Sequence, residues 1–139
     1  MDRAELVAFV RRRGVAVLAT RGLSGAPQGA QVAVAITDEA EIIFDTSVHA
    51  RRYHDILAFP QVALEVRGDD VTVQSEGPAD VLTGADRDRC LRVYFQQYPE
   101  RRERAQDRDV AYIRVQLRRL RVSDFHADSY GVQEIQLDQ

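Results

Sequence analysis

The strongest constraint on what this chain can fold into is how little separates its first apolar segments. VAVLAT (15–20), QGAQVAVAIT (28–37) and EIIFDT (41–46) are joined only by RGLSGAP and by DEA. Parallel neighbours need a crossover of a dozen or more residues, so strands joined this tightly run antiparallel. Gly22, Gly25 and Pro27 give the first connection hairpin chemistry. Along 28–37, Val32, Val34 and Ile36 alternate with Gln31, Ala33 and Ala35, the period of a strand with one buried face.

The remaining segments fit the same plan. Asp2 is placed to cap a helix carrying Leu6, Val7, Phe9 and Val10, and Gly14 to end it. Residues 48–58 read as a short helix with Tyr53, Ile56 and Leu57 inward and Arg51, His54 and Asp55 outward; Pro60 stops it. QVALEV (61–66) is a strand, Gly68-Asp69-Asp70 a turn, and VTVQSEGPADVLT (71–83) a strand kinked at Gly77-Pro78. A helix over 86–98 stops at Pro99. A charged connector (100–108) leads to DVAYIRVQLRRLRVSDF, which closes the chain as one long strand. The order α-βββ-α-ββ-α-β lacks the regular strand–helix alternation of a parallel α/β sheet. The expectation is a mainly β fold with small helices, about six mostly antiparallel strands curled into a barrel, in a single domain over 1–139.

Charge and cysteine content narrow the function. The N-terminal segment reads as an amphipathic helix, and no apolar run approaches the roughly 20 residues of a membrane span. The expected location is cytoplasmic, away from the membrane. All 19 basic residues are arginine, and 22 acids outweigh the runs at 11–13, 101–104 and 118–121, so no nucleic-acid partner is expected. One cysteine rules out an intrachain disulfide; Cys90 adjoins the helical face of Leu91, Tyr94, Phe95 and Tyr98 and reads as a small buried hydrophobe. His49, His54 and His126 show no metal-ligand spacing, and no metal site is expected.

The segment FDTSVHARRYHDI (44–56) carries the most chemistry. A strand ends in the hydroxyls of Thr46 and Ser47, a helix begins, and Arg51 and Arg52 lie in its first turns. Phosphate oxygens accept several charge-assisted hydrogen bonds, and free helix N–H groups with paired arginine donors supply them. The plainer alternative is that Ser47 caps the helix while Arg51 pairs with Asp55 four residues on. A second candidate is strand two, where Ala33 and Ala35 beside Gln31 admit either a flat ring or a tightly packed neighbour.

Taken in order, ELVAFVRRRGVAVLAT, the Gly-Pro turn, FDTSVHARRYHDILAFPQVALEV, TVQSEGPADVL and YIRVQLRRLRVSDF resemble the pyridoxamine 5′-phosphate oxidase-like, FMN-binding split-barrel family. The resemblance implies a split barrel that binds FMN between the two subunits of a homodimer. It places Asp45, Thr46 and Ser47 at the flavin or its phosphate and Arg51 and Arg52 on the phosphate. Ala30, Gln31, Val32 and Ala33 would run under the ring, with Thr72 or Gln74 near it. It departs from the true oxidases at Ala30 and Ala35, where they carry an arginine and a lysine. Phe59 stands for an asparagine, the C-terminal arginine-histidine block has no counterpart, and tryptophan is absent. What is implied is a flavin-dependent oxidoreductase acting on a small molecule, with reduced nicotinamide as a candidate donor and no catalytic side chain assigned. Tyr94, Tyr98 and Tyr112 are candidates to line the open face of the flavin. The alternatives are a non-enzymatic dimer that binds or senses flavin, deazaflavin or haem, or a structural dimer without cofactor.

Overall fold

The computed structural model describes residues 1–126 and 130–137. Helix α1 (Arg3–Arg13) starts at a capping box, in which Asp2 accepts from the Glu5 amide and Glu5 accepts from the Asp2 amide. It ends at Gly14, whose φ of 69° is the left-handed conformation a helix terminus needs. Strands β1 (Val15–Arg21) and β2 (Pro27–Ala33) form the expected hairpin, with Val15 opposite Ala33 and Arg21 opposite Pro27. The single strand predicted over 28–37 is divided. Residues before Val34 pair with β1, whereas β3 (Ala35–Ile36) pairs with β4 (Glu41–Ser47), and the Val34 amide turns aside to donate to Gly14.

Helix α2 (Arg51–Ala58) leads into β5 (Gln61–Gly68) and β6 (Val71–Val81). The two strands meet at Asp69 and Asp70, both with positive φ (53° and 62°), as a two-residue type I′ turn requires. Helix α3 (Gly84–Gln97) and a 3-10 helix (Pro99–Gln106) precede β7 (Val110–Gln116), β8 (Arg119–Asp124) and β9 (Gly131–Gln136). The closing segment, predicted as one strand, breaks after Gln116 because its halves serve different sheets. β7 joins β4 and the end of β6, while β8 joins the start of β6. β9 has no sequence signal: GVQEIQ lies at an edge, mostly exposed, and pairs with β8. Among the described residues nine strands thus form where about six were predicted. Every pairing is antiparallel, and the fold is the curled, mainly β split barrel expected.

β6 joins the two halves. Residues 71–76 lie between β5 and β8, and residues 79–81 pair with β7. Gly77 sits at the crossing, where an added Cβ would collide with the backbone carbonyl of Gln116. Neither strand can retreat without losing its ladder. Gly77→Ala is expected to cost about 3 kcal/mol, readable as a lower urea midpoint.

The main core fills the barrel between the half-sheets and against α1, and includes Leu6, Leu18, Val34, Ile42, Phe44, Ile113 and Leu120. A second cluster, with Ile43, Cys90, Leu91, Tyr94, Phe95 and Tyr112, is formed where α3 covers the outside of β3, β4 and β7. Cys90 is fully buried there, and burial raises its thiol pKa. Beside this cluster Glu41, with a side chain 8% exposed, accepts from Arg89 at 2.8 and 2.9 Å, Arg114 at 3.1 Å and Thr37 at 2.8 Å. Among the described residues no helix is long and apolar enough to cross a membrane, and no group of His, Cys, Asp or Glu is arranged to hold a metal.

Candidate anion-binding site

Helix α2 begins at Arg51, later than the sequence indicates. Ala50 occupies the cap position and offers no side-chain acceptor. Ser47 does not cap the helix; its Oγ accepts from the His49 amide at 3.1 Å and tightens the turn before it. The face turned inward also differs from expectation. Asp55 is 1% exposed and Leu57 56% exposed, the reverse of the predicted arrangement, while Ile56 is buried as expected. At the other end the Arg21 guanidinium lies 4.3 Å above the Phe59 ring, and the Ala79 amide donates to the Pro60 carbonyl. These contacts hold α2 against β1 and β6.

A cavity of about 190 Å³ lies between the start of α2 and the β1–β2 hairpin. The register sets Leu18 opposite Ala30 and Thr20 opposite Gln28, and these four line the cavity with Gly29 and Ala50. From α2 come Arg51, Arg52 and Asp55. Arg51 is exposed and donates through Nη2 to Gln28 Oε1 at 2.7 Å, leaving most of its five donors free. Arg52 is half-buried, and its Nε is buried without a partner. Neither oxygen of Asp55 has a partner. The Arg51–Asp55 pair of the plainer sequence reading does not form; Arg51 turns to Gln28 instead. Each orphaned buried polar group costs about 1–3 kcal/mol, and more when charged. Cations also sit unfavourably, by about 0.3–1 kcal/mol each, at the positive end of a helix. The two guanidiniums at one helix start suit an anion, while the unpartnered Asp55 asks for a donor beside it.

The other predicted contacts separate. Thr46 is buried, and its hydroxyl makes only a 3.5 Å contact with the Ser47 carbonyl; neither Thr46 nor Ser47 lines the cavity. The hydroxyl there is that of Thr20. Asp45 leaves β4 on the opposite face, toward α3. It accepts from the Tyr94 hydroxyl at 2.9 Å and lies 3.8 and 3.6 Å from Arg101 and Arg104. The tyrosines are structural in this chain: Tyr94 and Tyr112 are buried under α3, and the Tyr98 hydroxyl donates to the carbonyls of Gly14 and Val34. Val32 lies in the main core.

Gln31, Ala33, Thr72 and Gln74 lie on the outer face of the sheet, away from the cavity. There one cross-strand row runs Gln31, Val17, Glu65, Gln74, Arg121, Glu134 through six strands. An open groove of about 570 Å³ follows this face, floored by Val17, Ala19 and Ala63 and flanked by Glu76 and Arg119. Val15 and Val17 are 41% and 45% exposed, unusual for β-branched residues in a sheet. The arginine-lined cavity and this groove share no lining residue.

Sequence reasoning missed Thr20, Gln28 and Asp55. A two-residue spacing from Leu18 marks Thr20 as inward-facing, and the hairpin register then brings Gln28 beside it. Nothing in the sequence marks Asp55, since an acid in a polar helix normally faces solvent.

These features define a split β-barrel with a small arginine-lined cavity at a helix start. The family model described as pyridoxamine 5′-phosphate oxidase matches residues 3–123, and the chain belongs to that family. No curated protein matches it significantly. Solved structures with the same fold include a haem-binding protein from Mycobacterium smegmatis (TM-score 0.79, 14% identity), with 96% of this chain aligned to 58% of that one. A conserved hypothetical protein, Rv2991, from Mycobacterium tuberculosis aligns at TM-score 0.75 and 22% identity over 94% of this chain and 93% of its own. HutZ, the haem storage protein of Vibrio cholerae, aligns at 0.64 and 20% over 82% and 88%. At these identities the likeness is one of fold.

Proposed function

We propose that this chain binds FMN, with the phosphate at the start of α2, and acts as a flavin-dependent oxidoreductase on a small molecule. The observation that carries the reading is the convergence of Arg51 and Arg52 on a cavity at an uncapped helix terminus, in a chain of this family. Both guanidiniums neutralise the phosphate, Thr20 and Gln28 add side-chain donors, and the small Ala30 leaves room beside the hairpin. A bound flavin supplies hydride transfer, so the protein needs to provide position and electrostatics rather than a nucleophile. Of the remaining expected contacts, Gln74 lines the outer groove, and Gln31, Ala33 and Thr72 lie on the same outer face of the sheet. A second copy of the chain, packed on the exposed Val15 and Val17, brings such a face to the ligand, and the proposal therefore includes a homodimer.

Haem is the competing ligand, because two of the structural relatives are described as haem proteins. Against it, among the described residues none that lines the cradle or the groove is His, Cys, Met or Tyr, the side chains that ligate haem iron.

The test is the chromophore of the purified protein, identified by absorbance and mass, with sedimentation to show a mass of twice 15.7 kDa. FMN bleached by reduced nicotinamide is the expected result. FMN that donors never reduce limits the protein to binding. A Soret band identifies haem. A colourless protein that ignores added FMN overturns the proposal.

A further inference from the structure

Arg52 and Asp55 stand one turn apart on the same side of α2, and both line the cradle. Asp55 is 99% buried by its 1% exposure, and both carboxylate oxygens lack partners; the Nε of Arg52 is likewise buried and unpartnered. The two do not satisfy one another, for no ion pair joins them. An unmatched donor and an unmatched acceptor thus belong to two residues that line one small space. What fills it must offer an acceptor to the arginine and a donor to the carboxylate. A phosphate dianion alone fails the second demand: it has only acceptors and sets like charge against Asp55. A hydroxyl on the carbon chain next to the phosphate meets it, since it donates while the phosphate accepts.

Size agrees. About 190 Å³ is the space of about six waters at ~30 Å³ each, more than a phosphate group alone requires. The backbone at Gly29 and the side chain of Ala30 leave that extra space open beside the arginines.

We infer that Asp55 is the hydrogen-bond acceptor for a hydroxylated chain, so that the cradle selects polyol phosphates over plain alkyl phosphates. The inference rests on the phosphate reading above and specifies the part of the ligand next to the phosphate. In FMN that part is the ribityl chain. Arg51 and Arg52 hold the anion, and Asp55 reads the hydroxyls.

The experiment compares three ligands on wild-type protein, Asp55→Leu and Asp55→Asn. They are FMN, riboflavin, and an FMN analogue whose chain hydroxyls are replaced by hydrogen. Wild type is expected to prefer FMN over the deoxy analogue by about tenfold to a hundredfold, the usual range for a buried group left unpaired. Asp55→Leu is expected to bring that preference within about threefold while keeping FMN well ahead of riboflavin. Asp55→Asn retains one acceptor at nearly the same volume and is expected to fall between them; it keeps the test open if the leucine variant does not fold. Equal binding of FMN and the deoxy analogue by wild type overturns the inference, as does a preference unchanged in both variants. If FMN is also no tighter than riboflavin, the phosphate reading itself has failed. If FMN stays ahead of riboflavin, only the role of Asp55 has.

Discussion

Replacing both Arg51 and Arg52 with alanine is expected to weaken FMN binding about a hundredfold or more and riboflavin binding less than threefold. A hydrogen bond to a charged partner contributes about 1.5–3 kcal/mol, and 1.4 kcal/mol is tenfold in affinity, so losing two such contacts places the effect at a hundredfold and above. The shares are unequal. Arg51 is exposed and already bonded to Gln28, whereas Arg52 is half-buried with an unpartnered Nε, so Arg52→Ala alone is expected to cost more than Arg51→Ala. Fluorescence titration of the single and double variants with both flavins checks this. A control separates binding from folding. Each arginine lies at the positive end of α2, so its removal relieves about 0.3–1 kcal/mol, which offsets the lost Arg51–Gln28 hydrogen bond, and the ligand-free variants are expected to melt close to wild type.

Glu41→Gln is expected to destabilise the fold by about 1–3 kcal/mol without touching the cradle. The Glu41 carboxylate is buried between Arg89, Arg114 and Thr37, and its loss removes charge-assisted hydrogen bonds from both arginines, which keep Asp80 and Asp86 as partners. The hydrogen bonds from Arg89 do most to hold its carboxyl down at about 2, from an ordinary 4.5, with Thr37 and Arg114 helping against the cost of burial. Because the folded value lies below the unfolded one, this stabilisation is present above about pH 4.5 and is lost as pH falls toward 2. Urea unfolding between pH 7 and pH 2 is therefore expected to show a steep acid loss in wild type. The same loss is expected to be shallower in Glu41→Gln, which starts lower. Parallel curves contradict the role assigned to Glu41.

The elements that local chemistry determines were legible in the sequence. The Asp2 and Gly14 boundaries of α1, the β1–β2 hairpin and the end of α2 before Pro60 all follow from caps, turns and periodicity. What local pattern does not contain is a change of partner within a continuous apolar run. The breaks at Val34 and after Gln116 occur where the chain passes from one half-sheet to the other, and the residues there remain as strand-like as their neighbours. β9 is hidden for another reason: an exposed edge strand needs no apolar face.

For the site, the arginine pair was visible because it is adjacent in sequence. Its partners were less so. Thr20 and Gln28 reach the cavity only through the hairpin register, and Asp55 through the inward face of α2. Asp45 and Thr46 show the opposite case, since neither lines the cavity. They adjoin the helix in sequence, but successive strand residues point to opposite faces, and Asp45 is drawn to Tyr94, Arg101 and Arg104 instead.

The central claim is that a phosphate ester docks where α2 begins. Calorimetric titration of the wild-type protein with FMN and with riboflavin under identical conditions tests it most directly. The account predicts saturable FMN binding about a hundredfold tighter than riboflavin, and competition by inorganic phosphate. Equal affinities, or no binding of FMN at all, contradict it.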